Sequence, residues 1–333
     1  MVRRTDSIDV RLQDGITLET EALGTVHLDA RRPSGEVNIC SHAHTDHLPT
    51  RADHAEIVCS PLTANLGRLR RDIPGFEATT HESVHLIDSG HVDGSTAALI
   101  EDNGMRILFT GDVALRSRYG LDGFEPPEAD VLILEATYGR PEYVFPPLST
   151  IERELLDCIE KSPGPVIVYA YALGKAQRVL ALLDECDIES VYTSAEVLEL
   201  CHAIETHTKT VFPACELTET TPLSQDAVLV LPGRSAAPAV VDTLISEHDA
   251  ITVGCSGWAI DSSYQYRRGV DRAIALSDHC GFDELVNLVV AVDPDLVYTH
   301  HGFSMELARE LVRVGVDTRA LRRHQTTLAS FDR

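Results

Sequence analysis

The stretch SHAHTDH, residues 41–47, holds four side chains able to bind a metal ion, His42, His44, Asp46 and His47. In an extended segment alternate side chains point the same way, so His42, His44 and Asp46 are expected to converge on one point. His47 directly follows Asp46, points elsewhere and could serve a neighbouring ion. Imidazole with carboxylate suits Zn2+, Mn2+ or Fe2+ rather than Ca2+. The stretch alone supplies too few ligands for a catalytic site, and four other segments offer more. DSGHVDGS (88–95) sets His91 in a glycine-flanked turn, and ILFTGDVA (107–114) ends an apolar strand with Gly111 and Asp112. IALSDHCGF (274–282) ends another with Asp278 and His279, and LVYTHHGF (296–303) a third with His300, His301 and Gly302. Each puts a ligand-type side chain just past a buried strand, where α/β sheets commonly build their sites.

The elements that must position these residues change character along the chain. Runs at 36–40, 56–60, 84–88, 96–102, 105–110 and 130–139 have strand length and apolar or alternating patterns. Between them, residues 60–72 have helical spacing, with Ser60 as N-cap and Pro61 in the first turn. After FPPLST (145–150) helices and strands alternate. Helices are expected over 149–161, capped by Ser149 or Thr150, and over 174–185 and 194–207; strands are expected over 165–171, 227–232 and 250–256. Such alternation predicts a parallel sheet. A helix (281–292), a strand (295–300) and a helix (304–315) follow. The expected organisation is an α/β body, residues 1–150 and 270–333, interrupted by an α/β insert, 151–269.

Composition narrows the setting. The 333 residues include 52 acidic and 28 basic ones, a formal net charge of −24, with lysine only at Lys161, Lys175 and Lys209. An acidic, lysine-poor surface suits a cytoplasm of very high salt, a halophilic adaptation in which mutual repulsion is screened. Strong negative charge argues against a nucleic-acid partner at low salt, but at molar salt that electrostatic contribution is small for any protein. No apolar run reaches the ~20 residues of a membrane-spanning helix, and the start, MVRRTDSIDV, lacks a signal-peptide core. A soluble cytoplasmic protein without a membrane partner is expected. None of the eight cysteines forms a C-x-x-C pair, so neither a zinc finger nor a redox motif is indicated.

The ordered set His42-x-His44-x-Asp46-His47, His91, Asp112 and a late His301 resembles the metallo-β-lactamase fold. LEATYG (134–139), YALGKAQRVL (171–180), SDH (277–279) and THHG (299–302) resemble its nuclease branch, which carries the β-CASP insertion. That branch includes mRNA 3′-end processing factor-like nucleases and DNA-repair nucleases. YAYALGKAQRVL (169–180), SGW (256–258), RRGVDRAIALSDH (267–279) and the compact length look most like its ligase-associated DNA exonucleases. The resemblance spans roughly residues 20–315.

It implies an αββα sandwich with a compact β-CASP-like insert and two divalent ions, Zn2+ or Mn2+. His42, His44 and His91 would hold one ion and Asp46, His47 and His301 the other, with Asp112 between them. His301 is taken over His300 because it precedes the glycine. Asp46 would also orient the attacking water, His279 would donate a proton to the departing oxygen, and Glu135 would orient the site. The implied reaction is phosphodiester hydrolysis in single-stranded DNA or RNA, from an end. It would serve DNA repair beside a ligase or helicase, or RNA 3′-end processing beside RNA-processing proteins. Two departures stand out: Asp93 replaces a usually apolar residue, read here as acidic drift, and the insert is shorter than in the large RNA-processing members. ALGKAQ (172–177) is not a P-loop, yet Lys175 at a helix start could touch a phosphate. Arg267 and Arg268 could grip a nucleic-acid backbone and Trp258 could stack on a base. The other histidines, at 27, 54, 81, 85, 202, 207, 248 and 324, fit no ligand pattern. The same metal core would also support hydrolysis of a small thioester, lactone or phosphodiester. A non-catalytic nucleic-acid-binding paralogue is the remaining alternative.

Overall fold

Strand alternation sorts the apolar residues of the body into two cores. In strand Val131–Glu135, Val131 and Ile133 enter one core while Leu132 and Leu134 enter the other. Ile107 and Phe109 against Leu108, and Leu296 and Tyr298 against Val297, divide the same way. The period of two puts successive side chains on opposite faces, so a sheet covered on both sides needs apolar residues at every position. This is why these runs read as continuously hydrophobic.

In a computed structural model of the chain, residues 8–53 and 55–322 are described. They form two compact units. One comprises the residues up to Leu115, Asp122–Val144 and those from His279 onward; the other comprises Arg116–Leu121 and Phe145–Asp278. The second unit therefore starts earlier and ends later than the expected 151–269, and it borrows a short segment from before Val144.

The first unit contains two six-stranded sheets. One runs in the order Asp9–Gln13, Gly15–Thr20, Gly24–Leu28, Val37–Ile39, Ile57–Val58, Ala78–Thr79. Its first three strands form an antiparallel meander and the rest are parallel. The other runs Thr318–Ala320, Leu296–His300, Val131–Glu135, Met105–Phe109, Thr96–Asp102, Val84–Asp88. Residues of both sheets share one core, with Leu18, Val26 and Leu28 among the first and Ile100, Ile107 and Ile133 among the second. The far face of the second sheet is covered by helices Phe282–Val292 and Ser304–Arg313, through Leu285, Leu288, Leu307 and Leu311. Truncating one such buried leucine costs about 2–5 kcal/mol, so this layering, not the polar edge, holds the unit together.

The second unit has one sheet, Cys215–Glu216, Val191–Thr193, Val228–Leu231, Val166–Tyr169, Ile251–Cys255, Arg272–Ile274, parallel throughout. Helices Leu148–Glu160, Lys175–Glu185, Ala195–Glu205 and Pro238–Glu247 belong to the same unit.

Local expectations fare unevenly. Ser60 caps helix Pro61–Arg70, its hydroxyl accepting the Thr63 N–H at 2.9 Å. Helix Leu148–Glu160, by contrast, starts at Pro147 with no side-chain cap, so Ser149 and Thr150 lie inside its first turn. The strand before SDH ends at Ile274, so His279 is reached through a loop rather than directly from a strand. The opening meander, Asp9 to Leu28, lies outside the runs picked out from the sequence. Among the described residues no helix is long and apolar enough to cross a membrane. The cysteines are all free, five of the eight buried.

Candidate metal centre

Strands Met105–Phe109, Val131–Glu135 and Leu296–His300 run parallel side by side, with Ile133 opposite Phe109 and Glu135 opposite His300. Their carboxyl ends therefore bring Asp112, Glu135 and His301 to one edge. The first sheet contributes SHAHTDH, which follows strand Val37–Ile39 and is tied across by the Thr96 N–H donating to the Ser41 carbonyl at 2.8 Å. Gly111 makes this approach possible. Its φ is +53°, and a Cβ there would lie 2.5 Å from the Ser41 Cβ. His301 itself takes φ +61°, a left-handed conformation uncommon for a residue with a Cβ.

The segment is extended only as far as His44. Its carbonyl then accepts the N–H groups of His47 (3.0 Å) and Leu48 (3.2 Å), forming a turn. The turn takes Asp46 away from His42 and His44, where strand alternation alone would let it converge with them, and towards His47 and His301, the set the resemblance implies. His42, His44, His91 and Asp112 cluster on one side, and Asp46, His47 and His301 on the other. One Asp112 carboxylate oxygen lies 3.5 Å from Nε2 of His42, 3.5 Å from Nε2 of His47 and 3.6 Å from Nε2 of His91, so it faces both clusters.

A cation fits this arrangement. His44 Nδ1 is 3.1 Å from His42 Nε2 and 3.2 Å from His91 Nε2, and one ring nitrogen cannot donate a proton to both. The other Asp112 oxygen and His47 Nε2 are buried without a hydrogen-bond partner. Buried polar atoms without partners are costly in a protein interior, and a bound ion removes that cost. Burial, followed by the neighbouring rings of His47, His44 and His91, pushes the His42 pKa well down and keeps its ring neutral, as a metal ligand must be. Burial also disfavours charge on His47, but the carboxylates of Asp112, Asp29 and Asp46 outweigh it and raise its pKa to about 10. Asp112 is raised by burial despite the histidines around it.

Two residues that the sequence did not single out orient this cluster. Asp29 accepts the Ser41 N–H at 2.7 Å, the Ser41 hydroxyl at 2.6 Å and His47 Nδ1 at 2.7 Å. Because a carboxylate only accepts, His47 carries its proton on Nδ1. The Ser41 hydroxyl spends its proton on Asp29, so it accepts from His42 Nδ1 at 2.9 Å. His42 thus presents a bare Nε2 inward, and His47, held at Nδ1, would do so once an ion displaces its Nε2 proton, the usual outer support of a histidine ligand. The available signal was that Asp29, like Asp112, stands just past a strand end.

His279 Nδ1 donates to Glu135 at 2.8 Å. Glu135 is fully buried and also accepts the N–H groups of Val113 (3.1 Å) and Thr137 (3.0 Å). Burial opposes its ionisation, but His279 and the Thr137 donor outweigh that and hold its pKa low. The His279 ring centroid lies 4.4 Å from that of His91, so the ring stands beside the cluster. His300, the other half of the doublet, is buried, and burial first and then His301 lower its pKa to about 3. His301 is the one that joins Asp46 and His47.

Other expectations are corrected. Lys175 is 4% exposed and ion-paired with Asp278, so it is not a surface cation awaiting phosphate. Asp93 is buried, which removes surface acid enrichment as its explanation. Trp258 is half-buried in the turn Gly257–Ile260, whereas Arg267 and Arg268 are exposed. His54 and His324 lie outside the described residues.

No family model matches the chain. A probable DNA ligase from Opitutus terrae is 32% identical over 309 residues, covering 88% of this chain and 29% of the ligase. An RNase J-like protein from Methanocaldococcus jannaschii is 36% identical over 103 residues, 29% of this chain and 24% of that protein. A crystal structure of an Enterococcus faecalis protein of unknown function shares the fold at TM-score 0.61 and 11% identity, over 96% of this chain and 97% of that one. The chain spans less than a third of the length of either curated relative. Two sheets packed face to face, with helices outside and a histidine–aspartate cluster at their edge, define a metallo-β-lactamase-type fold. With its parallel-sheet unit set into that fold, the chain belongs to the β-CASP branch of those proteins.

Proposed function

We propose that this protein is a metal-dependent phosphodiesterase that degrades single-stranded DNA from an end, working beside a DNA ligase in repair. The carrying observation is the Asp112 carboxylate, facing three histidine Nε2 atoms at 3.5–3.6 Å with its other oxygen unpartnered. DNA is favoured because the similarity to a ligase runs along 88% of the chain, against 29% for the RNase J-like protein. RNA is the second reading, supported by that shorter match.

In this proposal His42, His44 and His91 would hold one divalent ion and Asp46, His47 and His301 a second, Zn2+ or Mn2+, and Asp112 would serve as a ligand between the two sets. Bound there, the ions supply positive charge to phosphate oxygens and acidify a water. The chain does the rest. Asp29 and Ser41 fix the His42 and His47 rings, and Asp46, 61% exposed at its side chain, is placed to accept a proton from the attacking water. Glu135 takes the Nδ1 hydrogen bond of His279, so Nε2 is the atom that delivers a proton to the leaving oxygen.

The test is purified protein with labelled single-stranded DNA and RNA in molar KCl, where an acidic chain is expected to be stable, with Zn2+ or Mn2+ added. DNA cleavage that Asp112→Asn lowers by about a thousandfold or more is expected. Activity surviving that change, or His42→Ala, would sink the reading; RNA cleavage without DNA cleavage would move it to the second.

A further inference from the structure

In the parallel sheet of the second unit, strands Val166–Tyr169 and Ile251–Cys255 are neighbours whose exits diverge. The chain leaves the first towards Val191–Thr193 on one side and the second towards Arg272–Ile274 on the other. Such a divergence opens a crevice at the carboxyl ends of the strands, the usual ligand position of open parallel sheets. A crevice of ≈ 440 Å³ is found there, lined by Tyr169, Tyr171, Tyr264, Arg234, Arg267 and Arg268.

The composition of this crevice is unlike that of the chain. Four of the nine tyrosines and three arginines gather at it, counting Tyr266 on the adjoining helix Tyr264–Arg268. Tyr171 and Tyr266 are 57% and 86% exposed, whereas every other described tyrosine is buried or half-buried. Gly254 lets the Tyr264 ring close over the strand end, since a Cβ there would lie 3.3 Å from it. The Arg268 guanidinium lies 5.9 Å from the Tyr264 ring centre. Arg234 and Arg267 pair with Asp242 and Asp261, but these pairs are exposed, and such pairs hold weakly enough for phosphate to displace them. The one acid lining the floor, Asp271, is occupied: its carboxylate accepts the Thr252 N–H at 2.8 Å and hydroxyl at 2.7 Å. Exposed aromatic rings interleaved with arginine are how proteins hold single strands, stacking bases while cations follow the backbone. In high salt the stacking survives and the charge attraction fades, so the tyrosines carry more of the affinity.

We propose that this crevice binds a single-stranded polynucleotide, stacking bases on Tyr171 and Tyr266 and taking phosphates on Arg234, Arg267 and Arg268. The polymeric nature of the ligand rests on the nuclease reading; a flat, anionic ligand follows from the crevice itself. The experiment is fluorescence anisotropy of a labelled oligo(dT) of about 12 nucleotides on full-length protein carrying Asp112→Asn. Tyr171→Ala and Tyr266→Ala are each expected to weaken binding roughly tenfold, with unchanged melting temperature. Arg268→Gln is expected to lower the slope of log affinity against log salt by about 0.7. Unchanged affinity in all three variants overturns the proposal. So does competition by AMP at the same nucleotide concentration, which would assign the crevice to a mononucleotide. Cleavage by wild-type protein is scored separately. Cleavage with tyrosine-independent binding sinks only the crevice; tyrosine-dependent binding without cleavage sinks only the nuclease reading.

Discussion

Asp112 in the first unit and Asp278 in the second are both buried aspartates among cation-forming side chains, yet they are opposites. Asp112 keeps one oxygen without a partner, and burial raises its pKa. Asp278 has Lys175 hydrogen-bonded to it, with Arg118 at 3.4 Å and Arg178 at 3.7 Å. Burial opposes its ionisation too, but Lys175, Arg118 and Arg178 drive its pKa far below the usual carboxylate range. The difference separates two uses of buried charge. Where the protein saturates the group, the group serves the fold; where it leaves the group short, something else must complete it.

Replacing each aspartate tests that contrast. Asp112→Asn should abolish cleavage by the thousandfold or more given above and remove bound metal, measured by elemental analysis. In the presence of a chelator it should cost little stability, about 0.5 kcal/mol, because it removes a buried carboxylate whose charge burial disfavours and one of whose oxygens has no partner. Asp278→Asn should do the reverse. It removes the carboxylate that three buried cations share, Arg178 keeping Glu152 at 3.7 Å, and should lower the unfolding free energy by roughly 3–5 kcal/mol in urea titration. A stable Asp278→Asn protein would break the comparison.

Asp29→Ala gives a smaller effect on the first side. It leaves every candidate ligand in place but frees the rings of His42 and His47, so metal affinity should fall about 10- to 100-fold in competition with a chelator. Loss of less than a factor of two would demote Asp29 to packing. The smallest expected effect is in pH. The depressed pKa of Asp278 means its stabilisation is fully present above its unfolded pKa of about 3.9. It is lost as pH falls from there through the lower folded value. Wild-type stability should therefore decline below about pH 4, by an amount that Asp278→Asn abolishes. Identical acid-unfolding curves for the two proteins would refute the assignment.

Much of the body was legible because periodicity is local. Strands Val84–Asp88 and Thr96–Asp102 fall where the alternation puts them, and the glycines after Thr110 and His301 marked turns next to ligand-type residues. The opening meander was missed because its charged, half-exposed faces dilute the alternation: strand Gly15–Thr20 buries only Ile16 and Leu18. The fate of Lys175 was illegible for another reason. A lysine at a helix start looks the same whether it meets phosphate or, 103 residues along the chain, Asp278.

By itself, then, the sequence determined which side chains could ligate an ion and that strand ends would carry them, because residue chemistry and the two-residue strand period travel with the chain. The resemblance implied how they divide, but only the tertiary structure shows what makes the division. The turn at His44 sends Asp46 away from His42, Asp112 lies between the two clusters, and Asp29 sets the tautomers from a strand that precedes them all. Those choices depend on which strands lie side by side and which faces pack, and long-range pairing of that kind has no local signature.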